Sequence, residues 1–364
     1  NEMSFSETVT GTDGAAPALV SASYKDTETP IGNAQVDRID AVFSETLTSS
    51  NYEGGDWTFP TNPASLTKSS GAISGNTVQI TVTGAPTSTT VLATTTIKYT
   101  AQGTDNSITD GTNHTATMGS AFTVTDGAAP VLLSASYKDS NGDGTVNRID
   151  AVYSENITGS SFFESGDWTL PTNSENLTVS SGAFSGSDVQ ITVGRASANT
   201  TALGTTTLKY TRTAGTANSM SDGINPSVDS DVITISDAAL PVIASAETGD
   251  VNNDGTVDRL TLTFSEQVDL SSVDNNNFTL TERPSGSIVG ISSTSTSSNQ
   301  TSVTLTLTGV TVNNTSLTID PNYDDATGTI IDNAGNEMNF SETVTGTDGA
   351  APVLLSADYK DTNG

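Results

Sequence analysis

The chain repeats itself, and the period of the repeat limits what it can fold into. The string DGAAP occurs at residues 13–17, 126–130 and 348–352, and its variant DAALP occurs at 237–241. These strings stand 113, 111 and 111 residues apart. A fixed period of this size is typical of an array of small domains in which each unit contacts its neighbours.

Other landmarks keep the same period. RIDAVFSE at 38–45 returns as RIDAVYSE at 148–155 and as RLTLTFSE at 259–266, while GDWTFPTN at 55–62 returns as GDWTLPTN at 166–173. A longer period is also present, because residues 1–29 match residues 336–364 at 23 of 29 positions. We therefore expect a segment of a longer protein that repeats a block of three units. The predicted divisions are the end of a preceding unit at 1–12, unit one at 13–125, unit two at 126–236, unit three at 237–347, and the first strand of a following unit at 348–364.

Each unit has the pattern of a β-sandwich. Thr- and Val-rich runs alternate apolar and polar residues, as at Val189, Ile191 and Val193, and Gly, Asn and Asp separate the runs. In unit two the predicted strands are 131–138, 148–154, 167–170, 176–181, 188–193, 205–212 and 228–235. About seven short strands in some 110 residues predict an Ig-like sandwich. The fold class is therefore all-β, with tandem Ig-like sandwiches. The units are joined by almost no linker, and a proline stiffens each junction, so we expect them to form an extended rod.

Charge and composition exclude several function classes. The chain has 42 acidic and 12 basic residues, a net charge of -30, so it repels nucleic acid and anionic membranes and attracts cations. It has no cysteine, and no stretch approaches the roughly 18 apolar residues of a membrane span. Its one histidine, His114, has no counterpart in the other units, which excludes a repeated Ser-His-Asp centre. We expect no enzyme, no nucleic-acid partner and no membrane span in this segment.

The most informative chemical motif lies between the first two predicted strands of unit two. The string DSNGDGTVNRID at 139–150 places oxygen-bearing residues at alternate positions and a glycine, Gly144, at position 6, as in a twelve-residue Ca²⁺ loop. Unit three repeats it as DVNNDGTVDRLT at 250–261, with Thr261 where a final carboxylate would stand. The predicted Ca²⁺ ligands are Asp139, Asn141, Asp143, Thr145 through its carbonyl, Asn147 and Asp150 in unit two, and Asp250, Asn252, Asp254, Thr256 through its carbonyl, and Asp258 in unit three.

The corresponding segment of unit one departs from this pattern. It is three residues longer and lacks the Asp-Gly step, although Asp26, Glu28, Asp37 and Asp40 offer carboxylates. Polar β-turns are the alternative interpretation of all three loops, because Asp, Asn and Gly are ordinary turn formers. Two matches in register, on a chain this acidic, favour metal.

Further carboxylates recur near the predicted ends of the units. Asp13, Asp126, Asp237 and Asp348 begin the junction strings, Glu45, Glu155 and Glu266 end the FSE or YSE motif, and Asp110, Asp222 and Asp332 stand in turns. These acids either hold a second class of cation that locks neighbouring units together, or they cap turns and face water.

The junction string, the DxNxDG loop, the RIDAVFSE strand and the DNAGN turn at 332–336 together resemble the bacterial Ig-like repeats of large surface proteins, of the S-layer and giant Ca²⁺-dependent adhesin type. The resemblance covers essentially the whole chain. It implies secretion, a place on the bacterial cell surface, Ca²⁺ as the stiffening ion, and a role as stalk, filament or surface lattice.

Two further readings stay open. In the first, the loops of one unit bind a glycan or a host protein, as an adhesin module does, with the divergent unit three as the candidate. In the second, neighbouring copies of the protein associate head to tail, because the terminal segments 1–12 and 353–360 are strands that could add to another chain's sheet edge.

Overall fold

A computed structural model gives an all-β fold and confirms that prediction. It describes residues 11–27, 34–48, 52–84, 94–102, 108–158, 163–194, 201, 203–213, 220–280, 290–310, 319–325, 328–339 and 344–363. The helical segments in these ranges are single 3₁₀ turns, at Gly54–Asp56, Ser165–Asp167 and Asn275–Asn277. Within the described ranges, no helix has the length and apolarity needed to cross a membrane.

The strands follow one plan in units one and two. In unit one the described residues form β1 Leu19–Lys25, β2 Arg38–Phe43, β3 Trp57–Thr58, β4 Thr67–Ser74, β5 Thr77–Thr83, β6 Thr96–Tyr99 and β7 Phe122–Thr123. In unit two they form β8 Leu132–Lys138, β9 Arg148–Tyr153, β10 Trp168–Thr169, β11 Thr178–Ser185, β12 Asp188–Gly194, β13 Thr207–Tyr210 and β14 Ile233–Asp237. Each predicted strand of unit two thus has a counterpart.

Unit three is more elaborate. Its described strands are β15 Ile243–Gly249, β16 Arg259–Asp269, β17 Phe278–Leu280, β18 Gly290–Thr294, β19 Gln300–Thr308, β20 Pro321–Tyr323, β21 Ile331–Asp332 and β22 Gly346–Thr347. Strand β16 is the longest of them, because it pairs with β15 and β19 and then continues to pair with β21. Residues 351–363, which carry the sequence of a first strand, form no strand and are largely exposed.

The sheets share a topology in which the chain returns to its starting strand. In unit two the sheet order is β10-β13-β14-β8-β9-β12-β11. The last strand, β14, pairs parallel with the first, β8, with Ile235 opposite Ala135, and the other pairs are antiparallel. The same parallel contact occurs in unit three, where β22 pairs with β15, and in unit one as a bridge from Thr125 to Ser23. Each unit therefore ends beside the strand where it began.

Buried apolar side chains form three clusters, one in each unit. Alternation produces them: in β12 the side chains of Val189, Ile191 and Val193 are buried and the intervening ones are not. The two tryptophans are buried in the clusters of units one and two. The ring centroids of Trp57 and Tyr99 lie 5.2 Å apart, and those of Trp168 and Tyr210 lie 5.1 Å apart. The Ig-like sandwich and the rod remain predictions.

The junction strings, which we call junctions, share one hydrogen bond. In each, the aspartate side chain accepts a hydrogen bond from the amide two residues later, at 3.0 Å from Ala128 to Asp126 and from Ala239 to Asp237. Ala128 is buried in the cluster of unit one and Ala239 in the cluster of unit two. The junction alanine thus packs against the unit that precedes it, although sequence places it at the start of the next.

Candidate cation sites

The structure gathers four of the six predicted ligands of the unit-two loop into one hydrogen-bonded network. Asp139 accepts from the amides of Gly142 and Gly144 at 2.8 and 2.7 Å. The side chain of Asn141 donates to Asp143 at 2.8 Å and accepts from that of Asn147 at 2.5 Å. The positive φ of 81° at Gly144 makes the sharp turn that the motif requires.

Of the other two predicted ligands, Thr145 hydrogen-bonds to the network and Asp150 lies outside it. Thr145 is half-buried, and its amide donates to Asp143 at 2.9 Å. Asp150 lies on β9, where its carboxylate pairs with Arg148 at 2.7 Å, as Asp40 pairs with Arg38 in unit one. Because this ion pair engages Asp150 on the strand, a cation in the loop would have to compete with Arg148 for it.

The unit-three loop repeats the arrangement. Asp250 accepts from the amide of Gly255 at 2.8 Å, and Asn252 donates to Asp254 at 3.0 Å. Asp258 accepts from the amide of Val251 at 2.9 Å. Thr256, the remaining predicted ligand, donates its amide to Asp254 at 2.9 Å. Two loops of different sequence therefore close in the same conformation.

Unit one closes its loop base by equivalent contacts, although its sequence differs. Asp37 accepts from both the amide and the hydroxyl of Thr27, at 2.7 Å from the hydroxyl, and Asp26 accepts from the amide of Ala34. Glu28 lies outside the described residues. The loop thus has the aspartates of the motif but no Asp-Gly turn between them.

These loops have the donor set that a hard cation prefers. Carboxylate and amide oxygens stand at alternate residues around a tight turn, which is how a short loop wraps Ca²⁺. The network also satisfies itself as a turn, since each carboxylate accepts from backbone amides.

Three further clusters each bring three carboxylates within 4.8 Å of one another. They are Asp13 with Glu45 and Asp110, Asp126 with Glu155 and Asp222, and Asp237 with Glu266 and Asp332. We call them the first, second and third carboxylate clusters. Each combines the junction aspartate with the glutamate of the FSE or YSE motif and a turn aspartate, so the recurring acids of the sequence converge at the start of each unit. Three carboxylates this close repel one another unless protons or a cation neutralise them.

The third cluster is the most buried. Glu266 and Asp332 are 8% and 3% exposed. Burial, with the charge of Asp332 as a smaller contribution, raises the pKa of Glu266 to about 7 and that of Asp237 to about 6. Burial and the charge of Asp222 also raise the pKa of Asp126 in the second cluster. Asp126, Asp237 and Glu266 therefore bind protons at a higher pH than isolated carboxyl groups do.

Residues of the preceding unit face these clusters, and sequence reasoning missed them. Thr201 of unit two is fully buried and donates a hydrogen bond to Glu266. Tyr137, at the end of β8, hydrogen-bonds to Asp237, and Tyr24 occupies the same position before the second cluster. The recurrence of the two tyrosines in SYKD was a usable signal, whereas nothing in the sequence distinguishes Thr201.

Comparison with known proteins gives little. Neither a family model nor a curated protein matches this chain. Solved structures similar to it include a crystal structure of the S-layer protein SbsC and a structure of domains 1–6 of the surface layer protein SbsC, both at 13% identity over 95% of this chain. Their TM-scores are 0.20 and 0.18, and the chain spans 55% and 56% of their lengths. Superpositions this poor carry no argument about this chain.

Proposed function

We propose that this chain is a structural repeat segment of a secreted bacterial surface protein, where it forms part of a stalk, a filament or a surface layer. Ca²⁺ bound by the loops at 139–150 and 250–261 stiffens the units. The partners are neighbouring copies of the same repeat protein, and the segment has no catalytic role.

The observation that carries this proposal is the short, repeated connection between units. Five residues separate the end of β14 at Asp237 from the start of β15 at Ile243. Within them, Ala239 packs on unit two and Pro241 fixes the backbone before unit three begins. Connections with so little slack favour an array that transmits force or holds spacing over flexibly tethered binding modules.

Thermal unfolding of the whole chain in millimolar Ca²⁺ and in excess chelator tests the cation part. Binding at about 100 times Kd stabilises the folded state by about 2.7 kcal/mol for one site. The expected Ca²⁺-dependent rise in Tm is reduced by Asp143→Ala and by Asp254→Ala. It is unchanged by Asp231→Ala, because that aspartate is exposed and lies outside both loops.

A measurement of molecular dimensions in Ca²⁺ and in chelator distinguishes stiffening of the chain from Ca²⁺ binding alone. Small-angle X-ray scattering of the same samples is expected to show a larger, better-defined maximum dimension with Ca²⁺. No Tm shift with Ca²⁺ would mean that the loops are hydrogen-bonded turns, and the structural role would then rest on the repeat alone.

A second candidate is an adhesin module that binds a glycan, and one feature of unit one favours it. A depression of about 390 Å³ there is lined by Tyr52, Lys68 and neighbouring serines. The Lys68 amine donates to the carbonyl of Gly54 at 2.8 Å, and burial lowers its pKa. At the equivalent positions of unit two, Phe163 replaces Tyr52 and Val179 replaces Lys68. Binding of anionic oligosaccharides that is lost in Lys68→Val would support this reading over the purely structural one.

A further inference from the structure

The glycine of the Asp-Gly step in each loop is buried, although the loop around it is exposed. In unit two Asn141, Gly142 and Asp143 are exposed and Gly144 is buried. In unit three the residues before Gly255 are likewise exposed and Gly255 is buried. The burial of these glycines therefore comes from something outside the loop.

The following unit supplies the cover. A methyl group added to Gly144 would lie 3.1 Å from Cγ2 of Val242 and 3.5 Å from Cβ of Ser265, both in unit three. A methyl group on Gly255 would lie 2.5 Å from Cδ2 of Leu355, in the segment that begins a further unit. In both places an apolar side chain that follows the next junction proline contacts the Asp-Gly corner.

The same glycine also contacts the inside of the loop. The amide of Gly144 donates to Asp139 at 2.7 Å, and that of Gly255 donates to Asp250 at 2.8 Å. Each of these aspartates is the first predicted ligand of its loop. One residue without a side chain thus joins the first ligand position, on its inner side, to the following unit, on its outer side.

The surface of unit three that covers Gly144 is itself held in place. The Ser265 hydroxyl accepts from the amide of Val242 at 3.0 Å and lies 2.9 Å from the hydroxyl of Thr201, in unit two. All three side chains are buried. Ser265 therefore lies beside two parts of unit two, Thr201 and the loop corner at Gly144.

We propose that the Asp-Gly corner of the loop at 139–150 is the docking point for unit three, and that Ca²⁺ binding in this loop and docking of unit three strengthen each other. The coupling rests on the proposed function, because it requires Ca²⁺ in the loop. A cation gathers Asp139 and its neighbours and so fixes Gly144 from inside, while Val242 fixes it from outside. Two events that order the same residue favour each other, and the effect is reciprocal.

A Ca²⁺ titration by calorimetry tests the coupling. The parent protein is the full chain with Asp254→Ala, which removes a predicted ligand from the unit-three loop. The Ca²⁺ binding that is then lost on adding Asp143→Ala is assigned to the unit-two loop. Val242→Ala, which changes no predicted ligand, is expected to weaken Ca²⁺ affinity at this site about fivefold, at the lower end of typical couplings. The matched control is Val131→Ala, because Val131 is similarly buried after its own junction proline but follows a unit whose loop has no Asp-Gly step. The control should leave the affinity unchanged.

A glycine pair gives a second readout. Gly144 and Gly142 have φ values of 81° and 71°, so alanine strains both alike, but Gly142 has no atom within 4 Å of an added methyl group. We expect Gly144→Ala to weaken Ca²⁺ binding more than Gly142→Ala, with far-UV circular dichroism showing that both variants fold.

The outcomes separate the two proposals. The coupling is overturned if the parent binds Ca²⁺ in the loop, Val242→Ala binds it equally tightly, and the two glycine variants have equal effects. The proposed function would then still stand. Absence of loop binding in the parent would overturn both.

Discussion

The hydroxyl oxygen of Thr201 in unit two lies 2.9 Å from that of Ser265 in unit three, and both side chains are buried. Thr201 also hydrogen-bonds to Glu266, so its hydroxyl joins Ser265 and Glu266. Thr201→Val keeps the shape but leaves these buried groups without their partner. We expect it to destabilise the interface between the units by about 1–2 kcal/mol, measured by calorimetric unfolding.

Thr178→Val is the control for this change. Thr178 is exposed, and its hydroxyl makes only a long contact, 3.4 Å, to the carbonyl of Gly194. Its replacement is expected to change the free energy of unfolding by less than about 0.5 kcal/mol. If the two variants have equal stability, the hydroxyl of Thr201 contributes nothing to the contact between units.

The third carboxylate cluster predicts a pH dependence in chelator. The folded-state pKa values of Glu266 and Asp237, about 7 and about 6, lie above those of the unfolded chain. The folded state therefore binds more protons, and this stabilisation is complete below about pH 4 and is lost as the pH rises through 7. Between pH 5 and pH 8 we expect unfolding to become easier by on the order of 2 kcal/mol, allowing for partial exposure. Urea unfolding at a series of pH values measures it.

Glu266→Gln checks the assignment of this pH dependence. It removes one charge and retains an oxygen to accept from Thr201, so the loss of stability between pH 6 and pH 8 should shrink. Repeating the series in Ca²⁺ then distinguishes the two readings of the cluster. A pH dependence abolished by Ca²⁺ means that the cluster exchanges protons for a cation, and an unchanged one means that it only shares protons. A flat profile in chelator would contradict the prediction.

An aromatic ring over a glycine sets a packing limit in each of the first two units. A methyl group on Gly182 would lie 2.3 Å from the ring of Phe163, which is stacked on Trp168 and so has little room to retreat. We expect Gly182→Ala to destabilise unit two by about 1–3 kcal/mol in urea unfolding, because overpacking forces side chains off their rotamers.

Gly166→Ala is the matched control, since nothing lies within 4 Å of its added methyl group. Adding Phe163→Leu to Gly182→Ala should recover part of the loss. No recovery would mean that the glycine is needed for its backbone and not for the ring above it.

Local patterns made most of the fold predictable. The alternation of Val189, Ile191 and Val193 located β12 to within one residue, because a strand with one buried face must repeat every second residue. Strand β11 begins at Thr178 and runs to Ser185, beyond the predicted 181. Asn176 takes a positive φ of 55°, which delays its start, and the hairpin turn at Gly186 sets its end. Turn geometry of this kind depends on partners that no single strand sequence displays.

The candidate sites differ in the same way: those made of consecutive residues were predictable, and those that depend on long-range contacts were less so. The loops could be located in the sequence because their residues are consecutive, whereas the ion pair between Asp150 and Arg148 could not be. The recurrence of Asp237, Glu266 and Asp332 was visible, but their convergence depends on long-range pairing, since β16 brings Glu266 and β21 brings Asp332 to the junction. The contact from Thr201 required the neighbouring unit to be in place.

The junction alanine yields the last prediction. Ala239 is 1% exposed and belongs to the core cluster of unit two, although the repeat assigns it to unit three. Ala239→Leu should overpack that core and destabilise unit two by about 1–3 kcal/mol. Hydrogen exchange should then show lost protection in β8 and β14, which lie beside it. Ala238→Leu is the control, since that side chain is only half-buried and its amide still donates to Tyr137. Loss of protection confined to β15 would place the alanine energetically in unit three and contradict the packing.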